Sequence, residues 1–233
     1  MRHDGPLGLV EMKRNAARAA LDFVERGAVI GVGSGTTVWC FIDVLAESGI
    51  RVSSAVAASL ESARRLREIG IQVIDLSEGV PALYVDGADE IDMSGRAIKG
   101  GGGAHTPEKA IASVCDYWAC IVDATKVVRS LGSAPIPVEV AEGTADSVMA
   151  AVENLGGRAR IRAGMLTDAG NVVIDAFGLP LDDPVATEIA LDAIPGALGN
   201  GVFARRPADV ILVGRAGGGA TRITPHQAED PDV

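Results

Sequence analysis

A short apolar run, Ala28 to Val32, passes directly into the turn GVGSGTT (Gly31 to Thr37) and then into helical spacing from Val38 to Ala46. Strand, tight turn and helix in that order open a βα unit, and no other stretch restricts the fold as much. The alternation continues with a strand near Val52 to Val56, a helix from about Ser59 to Ile69, and short strands at Gln72 to Asp75 and Ala82 to Val85. Repeated βα units give a mostly parallel sheet covered by helices. The composition agrees: 48% of residues are apolar but only 3% aromatic, so the core is built from Ala, Val, Ile and Leu, as in sheets buried on both faces.

Ahead of this unit, Leu9, Met12, Ala16, Ala17, Ala20, Leu21 and Val24 recur at helical spacing, predicting a helix over Leu7 to Arg26 that stops at Gly27. Beyond KGGGGA (Lys99 to Ala104) a helix is expected with Thr106 as N-cap and Pro107 in its first position, followed by a buried strand at Trp118 to Val122. Past Gly132 the texture changes. A strand is expected at Ile136 to Val140, a helix at Ala145 to Leu155, a strand around Asn171 to Asp175, and a helix between Val185 and Ala193. The expected fold is therefore α/β: a mostly parallel sheet with flanking helices, Rossmann-like, plus a smaller inserted α+β domain. Residues 1–131 and 204–233 would form the main domain and 132–203 the insertion. Val210 to Val213 would rejoin the main sheet, with a frayed tail after Gly217.

A formal net charge of −10 over 233 residues argues against nucleic acid as a partner, because phosphate backbones are bound by clustered Lys and Arg. A small anion remains compatible, since backbone N–H groups and a few local cations suffice to hold it. Cys40, Cys115 and Cys120 form no CxxC pair and are odd in number, so they read as thiols in a reducing compartment. With no secretory leader and no apolar run of membrane-spanning length, a cytoplasmic location without membrane contact is expected.

Three stretches carry candidate chemistry. GVGSGTT would present free N–H groups at a helix N-terminus, with the hydroxyls of Ser34, Thr36 and Thr37, as a phosphate site. It lacks the third glycine of GxGxxG and the lysine of GxxxxGK[ST]; a purely geometric turn is its plain alternative. VDGADEID places Asp86, Asp89, Glu90 and Asp92 after a strand, at the sheet edge where open α/β folds bind ligands; a solvated acidic turn is the ordinary reading. The four glycines of KGGGGA cost backbone entropy and suit a loop wrapped closely round a ligand, with Lys99 supplying charge; a hinge would use them too. Glu108 in the following helix could merely complement the helix dipole, and Lys126 after the strand carrying Asp123 could be an ordinary surface lysine. His105 is a lone loop histidine and His3 and His226 lie near the ends, so histidine-based catalysis is poorly supplied.

In this order and spacing, GVGSGTT, YVDGADEID, KGGGGAHTPEK and IVDATK resemble the ribose-5-phosphate isomerase A family. The likeness extends through IPVEV, LGGR (155–158), LTDAGNVVID (166–175) and AIPGALGNGVFARRPADVILVG (193–214). The resemblance implies interconversion of D-ribose 5-phosphate and D-ribulose 5-phosphate in the non-oxidative pentose phosphate pathway, without cofactor or metal, by a homodimer or homotetramer. It places Ser34, Gly35, Thr36 and Thr37 on a substrate-binding turn, Asp86, Gly87, Ala88 and Asp89 on a second loop, and Lys99, Gly100, Gly101 and Gly102 on a third. Lys126 falls on a substrate-binding lysine and Glu108 on the catalytic base, with Asp86, Asp89 and Lys99 assisting. His105 and Pro107 stand where the family more often has an apolar residue and a basic or polar one. A sugar-phosphate sensor domain and an acyl-CoA transferase are the alternatives; the first would normally bring a helix-turn-helix, and the second would exchange thioesters with CoA.

Overall fold

The computed structural model describes residues 6–225; His3 and His226 and the end of the expected frayed tail lie outside them. The chain opens with helix α1 (Pro6–Ala20) and a 3₁₀ turn at Leu21–Phe23, then strand β1 (Val29–Val32), helix α2 (Thr36–Ser48), strand β2 (Ser54–Ala57) and helix α3 (Leu60–Glu68). Strands β3 (Leu83–Asp86), β4 (Glu90–Ile91) and β5 (Ala97–Ile98) follow, then helix α4 (His105–Val114), strand β6 (Tyr117–Asp123) and a 3₁₀ turn at Ala124–Lys126. Strand β7 (Ile136–Val140), helix α5 (Ala145–Asn154), strands β8 (Arg158–Leu166) and β9 (Val172–Phe177) and helix α6 (Pro184–Asp192) come next. Strands β10 (Ala197–Asn200), β11 (Val202–Phe203), β12 (Val210–Gly214) and β13 (Ala220–Ile223) complete the chain.

The main sheet has six strands in the order β13-β12-β6-β3-β1-β2. All its pairings are parallel except β12 with β13 at one edge. Apart from the edge strand β13, its strands are buried on both faces, so alternate residues feed two cores. Ile30, Val32, Leu83, Val85, Ala119, Ile121, Val210 and Leu212 pack with Phe41, Leu45 and Leu66 on one side. Tyr84, Trp118, Cys120, Ile211 and Val213 pack with Ile111 and Phe203 on the other. A second sheet, β10-β7-β9-β8, is antiparallel and carries its own core of Val138, Val140, Val148, Val152, Ile174 and Leu191. A small three-stranded sheet, β11-β5-β4, pairs Val202–Phe203 with the strand that leads into Lys99.

Several expectations are corrected. Gln72 to Asp75 makes only one bridge, Val73 to Ala55, rather than a strand. Thr106 is not an N-cap: α4 begins at His105 after Ala104, and the Thr106 hydroxyl donates instead to Glu139 of β7. The tail is ordered further than expected, because β13 pairs with β12 through Ile223. Strand β8 lies where the sequence pattern marks no element, since its mostly exposed sequence RARIRAGML has no apolar stripe. The α3 cap at Ser59 and the expected Trp118 to Val122 strand, within β6, are observed.

Candidate functional site

At the carboxyl end of the parallel sheet a cavity of about 200 Å³ is lined by Ser34, Gly35, Thr36, Thr37, Gly87, Ala88, Asp89, Lys99, Gly100, Gly101, Gly102, Glu108 and Lys126, together with Lys13. Open α/β sheets bind ligands at this edge because several strands end there and their loops converge.

The first wall is the turn between β1 and α2. Gly35 caps α2 without a side chain, so the N–H groups of the first turn stay open beside the positive helix end. Gly33 must approach the β3 end so closely that any Cβ would collide with the Asp86 carboxylate. The Gly33 carbonyl in turn accepts from Ser62 of α3 (2.6 Å), which fixes the turn from below. Lys13 reaches from α1 to donate to the Thr36 hydroxyl (2.9 Å). Sequence reasoning missed Lys13 because a lysine on an amphipathic helix reads as a solvated face. Across the cavity, Asp123 accepts from the Thr125 N–H (3.0 Å) and shapes the turn that holds Lys126.

The carboxylates of VDGADEID separate into different environments. Asp86 is completely buried beneath the cavity; it accepts from the N–H groups of Ser34 (3.1 Å) and Gly87 (2.7 Å) and from the Tyr84 hydroxyl. Asp89 faces the cavity, and the N–H of Gly101 donates to it (2.7 Å). Glu90 turns away to accept from the N–H groups of Gly132 and Ala134, and Asp92 pairs with Arg96.

Lys99 leaves the end of β5 with its backbone N–H bonded to Gly201 (2.9 Å) and its side chain buried. Its ammonium meets Asp86 (2.7 Å), Glu108 (3.1 Å) and the Gly87 carbonyl (2.6 Å). Burial disfavours the charge on Lys99, but the two carboxylates outweigh it and hold its pKa above the ordinary lysine value. Burial, and then the charge of Glu108, push Asp86 above the usual carboxylate range, with Lys99 opposing. Glu108, 2% exposed in the first turn of α4, accepts from the Ser34 hydroxyl (2.5 Å), so one oxygen touches the turn at α2 and the other touches Lys99. The site thus sets a carboxylate against an ammonium and a set of open N–H groups, an arrangement able to move a proton and stabilise an oxyanion beside it.

His105 lies under the loop rather than in the cavity. It is fully buried, with neither ring nitrogen hydrogen-bonded, and a Cβ on Gly100 (φ +98°) would meet its ring at 2.7 Å. Among the described residues no group of three or more His, Cys, Asp or Glu could hold a metal ion, and no helix is long and apolar enough to cross a membrane.

Residues 54–218 match the family model described as ribose 5-phosphate isomerase A (phosphoriboisomerase A). The chain is similar to the ribose 5 phosphate isomerase A of Neisseria gonorrhoeae, with 40% identity, a TM-score of 0.91, and coverage of 94% of this chain and 98% of that one. It is similar to the ribose 5-phosphate isomerase A of Methanocaldococcus jannaschii, with 34% identity, a TM-score of 0.85 and coverage of 91% and 97%. A D-ribose-5-phosphate isomerase solved in complex with phospho-erythronic acid is also 34% identical, with a TM-score of 0.87 and coverage of 93% and 99%.

Proposed function

The chain belongs to the ribose 5-phosphate isomerase A family, and from that premise we propose that it interconverts D-ribose 5-phosphate and D-ribulose 5-phosphate with Glu108 as the base. The observation that carries this reading is the contact of Glu108 with both Ser34 and Lys99 at one end of the cavity. Moving a carbonyl from C1 to C2 requires a base that takes the proton from C2 of the open-chain aldose, leaving an enediolate, and gives a proton back to C1, while the hydroxyl proton on O2 passes to O1. One carboxylate performs both transfers at carbon. Lys99 and the glycine-loop N–H groups face the oxygen on which charge develops. Asp89, on the cavity wall, binds sugar hydroxyls, while Asp86 acts from beneath by fixing Lys99 and the Ser34 turn.

The phosphate is assigned to the first turn of α2, with Lys13 and Lys126 as its cations. A relative solved with phospho-erythronic acid, a phosphorylated sugar acid, supports a phosphosugar as the ligand class. We also assign the enzyme to the cytoplasm as a homodimer or homotetramer. The mass in solution measured by light scattering tests the assembly: a monomer would contradict it.

The function is tested by steady-state kinetics with ribose 5-phosphate in the presence of a chelator. Wild type should turn over, whereas Glu108→Gln should lose about 10²- to 10⁴-fold in kcat with little change in KM. Lys126→Ala and Lys13→Met should instead raise KM. Unimpaired turnover by Glu108→Gln would remove the base assignment.

A further inference from the structure

One half-buried cation outside the cavity is committed to the glycine loop. Arg162 of β8 donates through Nη1 to the carbonyls of Gly100 (2.9 Å) and Gly101 (3.1 Å). Its Nε and Nη2 donate to Asp175 of β9, at 3.1 and 3.2 Å and at 2.5 Å. Both side chains are largely withdrawn from solvent, 15% and 8% exposed, so the pair costs desolvation that its hydrogen bonds must offset. A planar guanidinium can serve a carboxylate and two carbonyls together, which an ammonium cannot. The local strand is shaped for this reach: pairing between β8 and β9 is regular from Arg158 to Ile161, lapses, and resumes at Leu166. Irregularities of this kind re-aim side chains. The same stretch brings Met165 against Gly103, where an added Cβ would meet its methyl carbon at 2.7 Å.

The peptide planes show what the contact does. In a trans peptide the carbonyl and the following N–H point in opposite directions. The plane joining Gly100 and Gly101 is pinned at both ends, its carbonyl by Arg162 and its N–H by Asp89. Holding the Gly101 carbonyl turns the N–H of Gly102 away from Arg162. Gly102 lines the cavity and sits beside Ser34, whose hydroxyl meets Glu108, whereas Arg162 does not line it.

We infer that Arg162, with Asp175 as its counter-ion, is a positioning residue that aims the Gly102 N–H at the oxygen on which the enediolate charge develops. The inference rests on the isomerase reading. It gives strands β8 and β9 a part in catalysis although neither contributes a cavity-lining side chain. Without Arg162 the loop keeps the Gly103 N–H on the Gly100 carbonyl (3.0 Å) and the Gly101 N–H on Asp89, but nothing holds the Gly101 carbonyl. The plane carrying the Gly102 N–H then samples more conformations, and only those with the donor aimed stabilise the transition state.

Kinetics of Arg162→Met, with exchange of backbone amides followed by mass spectrometry on peptides covering 99–104, tests this. The variant should lose about 10- to 100-fold in kcat with KM within about threefold, and added millimolar guanidinium should restore part of the loss. Exchange in 99–104 should quicken while the main sheet stays as in wild type. Arg162→Lys keeps a charge beside Asp175 but not the fork, and should fall between the two. Wild-type kcat in either variant overturns the inference, as does a loss with unchanged exchange in 99–104 and no guanidinium rescue. Absence of isomerisation by wild type would instead overturn the isomerase reading, with the exchange comparison still reporting whether Arg162 holds the loop.

Discussion

Lys99 sits between Asp86 and Glu108 with almost no exposure, so its removal would strand two buried carboxylates. Breaking such a cluster from one side costs about 3–5 kcal/mol, so Lys99→Met should lower the urea midpoint as well as abolish turnover. That distinguishes it from Glu108→Gln, which should lose turnover with a smaller change in stability. His105 makes a different prediction. Burial lowers its pKa from 6.5 to about 4, only partly offset by Glu139, with Lys109 and Arg162 adding to the lowering. Between these values the unfolded chain is protonated and the folded one is not, so the stability this residue contributes is present above about pH 6.5 and is lost as pH falls toward 4. Between pH 7.5 and 5 the wild type should lose about 2 kcal/mol more unfolding free energy than His105→Leu. Equal losses would show that His105 is not held neutral. At this scale the sequence was legible in residue type but not in depth: Asp86 and Asp89 look alike in VDGADEID, yet one is a buried anchor and the other faces the cavity.

At the scale of elements, glycine and proline punctuation and the two apolar periods were enough to locate most helices and the parallel strands. They failed where a tertiary partner decided the outcome. Thr106 fits an N-cap by sequence, but Glu139 on a strand thirty-three residues away takes its hydroxyl. Strand β8 has no apolar stripe because it is an edge strand, held by Ile161 and Arg160 pairing with β9. The short strands β4, β5 and β11 pair with one another, and β11 is joined to β10 of the other sheet through the close turn at Gly201, which no local pattern announces. The Gly33 turn is the element on which the site is most exposed to change. Gly33→Ala should force the Asp86 carboxylate aside and cost more activity than a conservative change at Thr37, which meets no such obstacle; equal kcat/KM for the two would contradict this packing.

Across the whole molecule, the site is assembled from chain segments that sequence distance keeps apart: Lys13 on α1, the Ser34 turn, the β3 end, the Lys99 loop, Glu108 and Lys126. The convergence follows from strand order, since β6, β3 and β1 are neighbours whose carboxyl ends lie side by side. We propose that residues 132–203 form an insertion within the unit made by 1–131 and 204–233, supported by the separate antiparallel sheet and its own apolar core. Although the chain carries a net charge of −10, three lysines line the cavity. KM for a phosphosugar should therefore rise as ionic strength goes from about 10 mM to about 1 M, which shortens the screening length from about 30 Å to about 3 Å.

Proton NMR of ribose 5-phosphate incubated with the protein in D₂O tests the central claim most directly. Wild type should build up ribulose 5-phosphate and replace the C2 hydrogen of the aldose with deuterium, while Glu108→Gln leaves both unchanged over the same interval. A wild type that leaves the substrate untouched, or a Glu108→Gln protein that matches it, would contradict the account.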